Sequence, residues 1–172
     1  MTERCHQILA DDFNKMLNAG CDRLGLLCSL VKPGIEKVRA QVPAPILVYD
    51  DVQARRAVAA APEGGRVAVV AMKETPLAPS RLAVEQAARE AGKKIEIETI
   101  CVESAANCLK ETGDTALADQ YFERYLRLHQ KEYHAFVIPQ VPLTRIMPRI
   151  RDLDTPVFDS MEPFMEELAK GN

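Results

Sequence analysis

Arg66-Val-Ala-Val-Val-Ala71 is the stretch on which the fold turns. After Arg66 it is apolar without a break, so a strand here has no face to give to water. Strands of that kind belong to parallel sheets covered by helices on both sides. Downstream, residues 80–91 form an amphipathic helix, and Ile95 to Cys101 alternates isoleucine with glutamate, the pattern of an edge strand exposed on one face. Asp114 caps a helix through about residue 131, and Ala135-Phe-Val-Ile-Pro139 is a second buried strand. A short helix over 144–151, a last strand at 156–158 and a helix over 162–170 close the chain. Upstream, Ala61-Pro-Glu-Gly-Gly65 is a turn-rich break. Before it lie a helix over 2–18, a short strand Leu24-Gly-Leu-Leu-Cys28, a helix opened by Pro33, and the strand Pro45-Ile-Leu-Val-Tyr49. Asp50 or Asp51 is expected to cap a further helix through about residue 61. The expectation is an α/β protein with parallel sheets: residues 1–62 make an incomplete first lobe, 63–155 a second lobe, and 156–172 return to the first.

Composition narrows the function. The chain has 172 residues, 47% hydrophobic and 27% charged, with a net charge of -3, enough apolar mass for a buried core. An acidic balance with 5% aromatic residues lacks the basic footprint and stacking side chains that grip nucleic acid. No apolar run reaches the roughly 20 residues that span a bilayer, and no signal-type segment opens the chain, so a cytoplasmic protein is expected. Five irregularly spaced cysteines do not form a disulfide framework, and without a Cys-x-x-Cys pair and with only three histidines no metal site is expected. The glycine-rich phosphate loops, the Gly-x-Ser-x-Gly elbow and the His-Glu-x-x-His pair are absent, so no cofactor is called for.

In open parallel sheets ligands bind beyond the carboxyl ends of the strands. That rule selects Cys28 and Ser29, Asp50, the turn Met72-Lys-Glu-Thr75, Gln140 and Val141, and Asp159 and Ser160. Cys28 is the reactive candidate. It ends a strand just before a Pro-initiated helix, where the helix dipole and nearby Lys32 can favour the thiolate. The other reading of Cys28 is a small buried hydrophobe. Thr75 before Pro76 reads equally well as a loop threonine, His129 and His134 as solvated surface residues, and the carboxylates at 162, 166 and 167 as a wet helix face.

Taken in order, the run from Ala19 through Cys28-Ser29, then Pro33 and Val42 to Asp50, resembles the first half of the aspartate/glutamate/hydantoin racemase superfamily. Arg66 to Ala71, Thr75, Leu77, Pro79, Gly113-Asp114, Ala135 to Gln140 and Thr155 to Asp159 resemble its second half. The resemblance implies two pseudo-symmetric lobes around a cleft, a cofactor-independent isomerase or racemase of amino acids, and a small carboxylate held between two cysteines that move an α-proton. It puts Cys28 in the first cysteine position, with Ser29 and the Thr75 turn binding the carboxylate. At the second position stands Gln140, as in a racemase-like subset, and a carboxamide donates hydrogen bonds but does not abstract protons. The resemblance then implies single-cysteine proton transfer or decarboxylation, or, as the alternative, a non-catalytic relative that binds ligands or partners. Family members also begin with a strand and loop that have no counterpart ahead of residue 2. A lobe short of strands favours a homo-oligomer.

Overall fold

The computed structural model describes residues 2–159 and 161–170. Strands β1 (Leu24–Leu26) and β2 (Ile46–Val48) pair in parallel as a two-stranded sheet, with Leu24 opposite Ile46. Strands β3 (Arg66–Ala71), β4 (Glu96–Cys101), β5 (Ala135–Val137) and β6 (Val157–Phe158) form a second, wholly parallel sheet in the order β4-β3-β5-β6. The alternating strand Glu96–Cys101 is indeed at the edge, with its glutamates turned to solvent.

Val67 to Ala71 are all buried, and their two faces serve different layers. Ala68 and Val70 pack with Phe122, Leu126, Phe136 and Ile138; Val67, Val69 and Ala71 pack with Ala54, Ala57 and Val58 on one helix and Val84 and Ala87 on another. This two-sided burial is the physical reason that the strand shows no alternation.

Seven α-helices are described: α1 (Glu3–Asn18), α2 (Ile35–Arg39), α3 (Tyr49–Ala60), α4 (Leu77–Glu90), α5 (Glu103–Thr112), α6 (Thr115–His129) and α7 (Met161–Lys170). Helix α3 leaves the small sheet at β2 and covers the large one, which makes it the element shared by both. Gly113 ends α5 with a left-handed φ of 69°, and the carboxylate of Asp114 then accepts from the Leu117 N–H at 2.9 Å, the expected cap of α6. Among the described residues no helix is long and apolar enough to cross a membrane.

Several local expectations are corrected. Pro33 does not open an α-helix: it sits inside a 3-10 helix, Ser29–Gly34, and α2 begins only at Ile35. The tight turn lets α1 approach, since a Cβ on Gly34 would run into Nε2 of His6. Neither Asp50 nor Asp51 caps α3; the helix starts at Tyr49 with Val48 in the cap position, and Asp50 turns into the core. Helix α4 begins at Leu77 because Pro76 already has a helical φ. The helix expected over 144–151 is the 3-10 segment Val141–Arg149, where Pro142 and Pro148 remove N–H donors that an α-helix needs. The C-terminal segment does not return as one unit: β6 stays in the large sheet, and only α7 crosses to the small one. There Phe164 lies under Gly25, Arg23 donates to the Leu168 carbonyl at 2.8 Å, and Arg56 pairs with Glu166 at 3.0 Å.

Candidate functional site

A shallow pocket of about 210 Å³ opens at the carboxyl ends of the strands of both sheets. Of the residues singled out in the sequence, Cys28, Ser29, Thr75, Gln140 and Val141 line it, together with Tyr49. They arrive from three strand ends: Cys28 two residues beyond β1, Thr75 in the turn after β3, and Gln140 beyond β5. A larger depression lies by Lys93 and Ile95 at the amino end of β4, remote from the strand ends that a parallel sheet uses for ligands.

Cys28 is exposed, which removes its reading as a buried hydrophobe; Cys108 does pack in the core, and all five thiols are free. Lys32 does not serve Cys28. Its side chain is largely buried and ion-paired to Asp51, and burial lowers its pKa. Thr75 is exposed at the pocket rim. The Gln140 side-chain oxygen accepts the Met72 backbone N–H at 2.6 Å, which orients the amide and leaves its NH₂ group for other partners. Met72 thus enters the site through its backbone, whereas Lys73 and Glu74 are exposed and do not line the pocket.

Beneath the rim a buried hydrogen-bond cluster ties the sheets together. Tyr49, 1% exposed, donates through its hydroxyl to the carbonyl of Pro139, the residue before Gln140. The Ser29 hydroxyl lies 3.3 Å from Tyr49 Oη and 3.5 Å from the same carbonyl. Asp50 is fully buried and accepts from the Ser80 hydroxyl at 2.6 Å. Burial raises its pKa, opposed by the hydroxyls of Ser80 and Ser29 and by Lys32. Asp159 is buried after β6, and burial raises its pKa too, but it does not line the pocket. Ser160 lies outside the described residues. The role of Tyr49 was not anticipated; its one sequence signal is an aromatic residue ending a buried strand.

The histidines stand apart from the site. His134 Nδ1 accepts the Arg66 backbone N–H at 3.0 Å, and His129 stacks on Tyr125 with ring centroids 4.3 Å apart. Among the described residues no cluster of three histidine, cysteine or carboxylate side chains could hold a metal ion.

No protein-family model matches the chain, and no curated protein matches it. Solved structures do. An aspartate racemase homologue from Pyrococcus horikoshii OT3 superposes with a TM-score of 0.71 at 16% identity, covering 96% of this chain and 73% of that one. A putative Asp/Glu racemase from Yersinia pestis gives 0.70 at 15% identity, covering 98% and 74%. Allantoin racemase from Klebsiella pneumoniae gives 0.67 at 15% identity, covering 94% and 64%. The chain shares the fold of these racemase structures, and it spans 64% of the length of that allantoin racemase.

Proposed function

We propose that the chain carries out cofactor-independent proton transfer at the carbon next to a carboxylate of a small acid or amino acid, with the Cys28 thiol as the single proton-transferring group. The observation that carries this reading is the convergence of an exposed cysteine with Ser29, Thr75 and Gln140 on one pocket at the strand ends. A thiolate there takes the α-proton, or the thiol returns a proton to an enolate left by loss of carbon dioxide. The Gln140 NH₂ and the Thr75 hydroxyl are neutral donors for the carboxylate or for the developing enediolate oxygens. Since only one face of the carbanion meets a thiol, exchange or decarboxylation is favoured over racemisation.

A second reading has its own observation. Anchored on the Met72 N–H, Gln140 also serves as a structural link between neighbouring strands, which suits a pocket that binds a ligand without turning it over. Proton NMR in deuterated buffer separates the two, with amino acids, hydantoins and substituted malonates as substrates. Loss of the α-proton signal or of carbon dioxide that disappears in Cys28→Ala is the expected result. No turnover by folded wild-type protein across the panel refutes the catalytic reading and leaves the binding one.

A further inference from the structure

Helix α6 has two apolar faces. Ala118, Phe122 and Leu126 are buried with the residues of β3 and β5. On the far side of the helix Leu117, Tyr121 and Leu128 are exposed, and Leu128, at 67%, is the most exposed large apolar side chain among the described residues. Together with the exposed Arg124 they follow one another at four, three and four residues, which makes one stripe along the helix. A helix that serves only its own core keeps its outer face polar. Single exposed leucines are ordinary, whereas a stripe in heptad spacing is the seam by which one helix packs on another.

Three features make another copy of α6 the helix that fits this seam. The stripe is its own complement when the two helices run antiparallel: Leu117 and Leu128 lie equally far on either side of the point between Phe122 and Glu123, and so do Tyr121 and Arg124. A two-fold axis through that point sets Leu117 of each copy beside Leu128 of the other, and Arg124 of each over the Tyr121 ring of the other. The charges agree with this direction. Arg124 makes no hydrogen bond or ion pair among the described residues, whereas its neighbours Arg127 and Arg149 both pair with Glu123, and Arg127 pairs with Asp152 as well. A parallel pairing would set Arg124 against Arg124; the antiparallel one gives this unpaired cation an aromatic face. Finally, a hollow of about 260 Å³ beside the stripe is lined by Gln120, Glu123, Arg124 and Arg127, together with Leu128 and Arg149. The first four have the spacing of the hole that accepts a knob from a facing helix, and the two-fold axis delivers Tyr121 to it.

We propose that α6 is a self-association surface on which a second copy of the chain docks its own α6 antiparallel, with Tyr121 and Arg124 exchanged at the centre and Leu117 and Leu128 at the ends. The surface includes none of the residues that line the pocket, so it stands apart from the proposed chemistry. A helix of 15 residues, about 22 Å long, offers less than the roughly 800 Å² per partner of a standard interface. The dimer is therefore weak, half-formed at about 10–100 µM.

Sedimentation equilibrium of the full chain between about 1 and 300 µM reads the association directly. Wild type is expected to dimerise, and Leu128→Glu to weaken the dimer at least about tenfold, because the two-fold axis applies each substitution twice. Exchange tests the register: Tyr121→Arg sets arginine against arginine and abolishes the dimer, and adding Arg124→Tyr to it restores association to within about threefold of wild type. Wild type that stays monomeric across the range, a dimer that survives Leu128→Glu and Tyr121→Arg unchanged, or a double variant no better than Tyr121→Arg alone each overturns the proposal. The substituted side chains are all exposed, so the variants are expected to keep the fold. Should they fail to, hydroxyl-radical footprinting of wild type decides. Oxidation of Tyr121 and Leu128 that falls as the concentration rises supports the proposal, and oxidation independent of concentration overturns it.

Discussion

Removing one oxygen, in Tyr49→Phe, tests whether the buried cluster under the pocket holds the two sheets together. In the wild type the Tyr49 hydroxyl donates to the buried carbonyl of Pro139 and lies 3.3 Å from the Ser29 hydroxyl. The ring stays in place in the variant, so the change isolates the hydrogen bond. A buried acceptor left unsatisfied costs about 1–3 kcal/mol. Ser29, 3.5 Å from the same carbonyl, can turn its proton there and recover part of that loss, which puts the expected destabilisation at about 1–2 kcal/mol. With a urea m-value of about 2 kcal/mol/M, the unfolding midpoint falls by roughly 0.5–1 M at unchanged m. The carbonyl belongs to the residue before Gln140, so the variant also loosens the pocket and alters Cys28 alkylation by iodoacetamide relative to the exposed Cys21. A urea midpoint within about 0.2 M of wild type, with the same m, refutes the claim that this bond joins the sheets.

Three further perturbations probe the same structure. In Gly25→Ala the new Cβ would meet Phe164 Cζ at 2.6 Å, so α7 must shift and stability should fall by about 1–3 kcal/mol, read by urea unfolding and by faster amide exchange in α7; unchanged exchange there refutes the docking. Asp50 binds a proton more tightly folded than unfolded, so its contribution is complete below its ordinary value of 3.8 and fades as the pH rises toward the raised folded value; the stability of wild type relative to Asp50→Asn should therefore decline across that window, and a gap independent of pH contradicts it. Strand β1 pairs only with β2 among the described residues, and Leu27 and Leu30 beyond it are 43% and 55% exposed, so self-association is expected; a strictly monomeric mass by solution scattering at micromolar concentration rules it out.

The parallel α/β class was legible because burial on both faces writes itself into sequence as unbroken apolar runs, as in Arg66 to Ala71. The edge position of β4 was legible from its alternating glutamates for the converse reason. The grouping of Cys28, Thr75 and Gln140 came from a rule about strand ends, which needs topology and no side-chain geometry. What stayed hidden depended on contacts between distant segments. Nothing near Lys32 in sequence announces that it pairs with Asp51 instead of favouring a Cys28 thiolate. Asp50 looks like a helix cap because strand-Asp-helix is the usual cap spelling, and only the hydroxyl of Ser80, 30 residues away, reveals it as a core group. Proline does not tell the 3-10 segments from α-helices in sequence, because it is welcome at an α-helical start and in a 3-10 turn alike.

The two sheets follow a similar order of elements: β1, the 3-10 helix Ser29–Gly34 continued by α2, then β2 and α3 in one, and β5, the 3-10 helix Val141–Arg149, β6 and α7 in the other. Cys28 and Gln140 occupy equivalent places in that order, each extended and each just ahead of its 3-10 helix, with φ and ψ of -135° and 107° for one and -117° and 105° for the other. Backbone geometry therefore does not distinguish them; their neighbours do. Strand β5 has β3 beside it, and the Met72 N–H beyond the end of β3 is the donor that fixes the Gln140 amide. Strand β1 has no strand on the corresponding side among the described residues, so the equivalent donor is not supplied to position 28. An amide is suited to the anchored position because it can accept from the backbone and still donate to a ligand, whereas a thiol is a weak acceptor and would leave that buried N–H poorly satisfied. At the unanchored position the same reasoning reverses: a small, exposed thiol leaves no strong polar group in want of a partner and stays free to react. The difference between the two sheets thus accounts for the difference between the two residues that face the pocket.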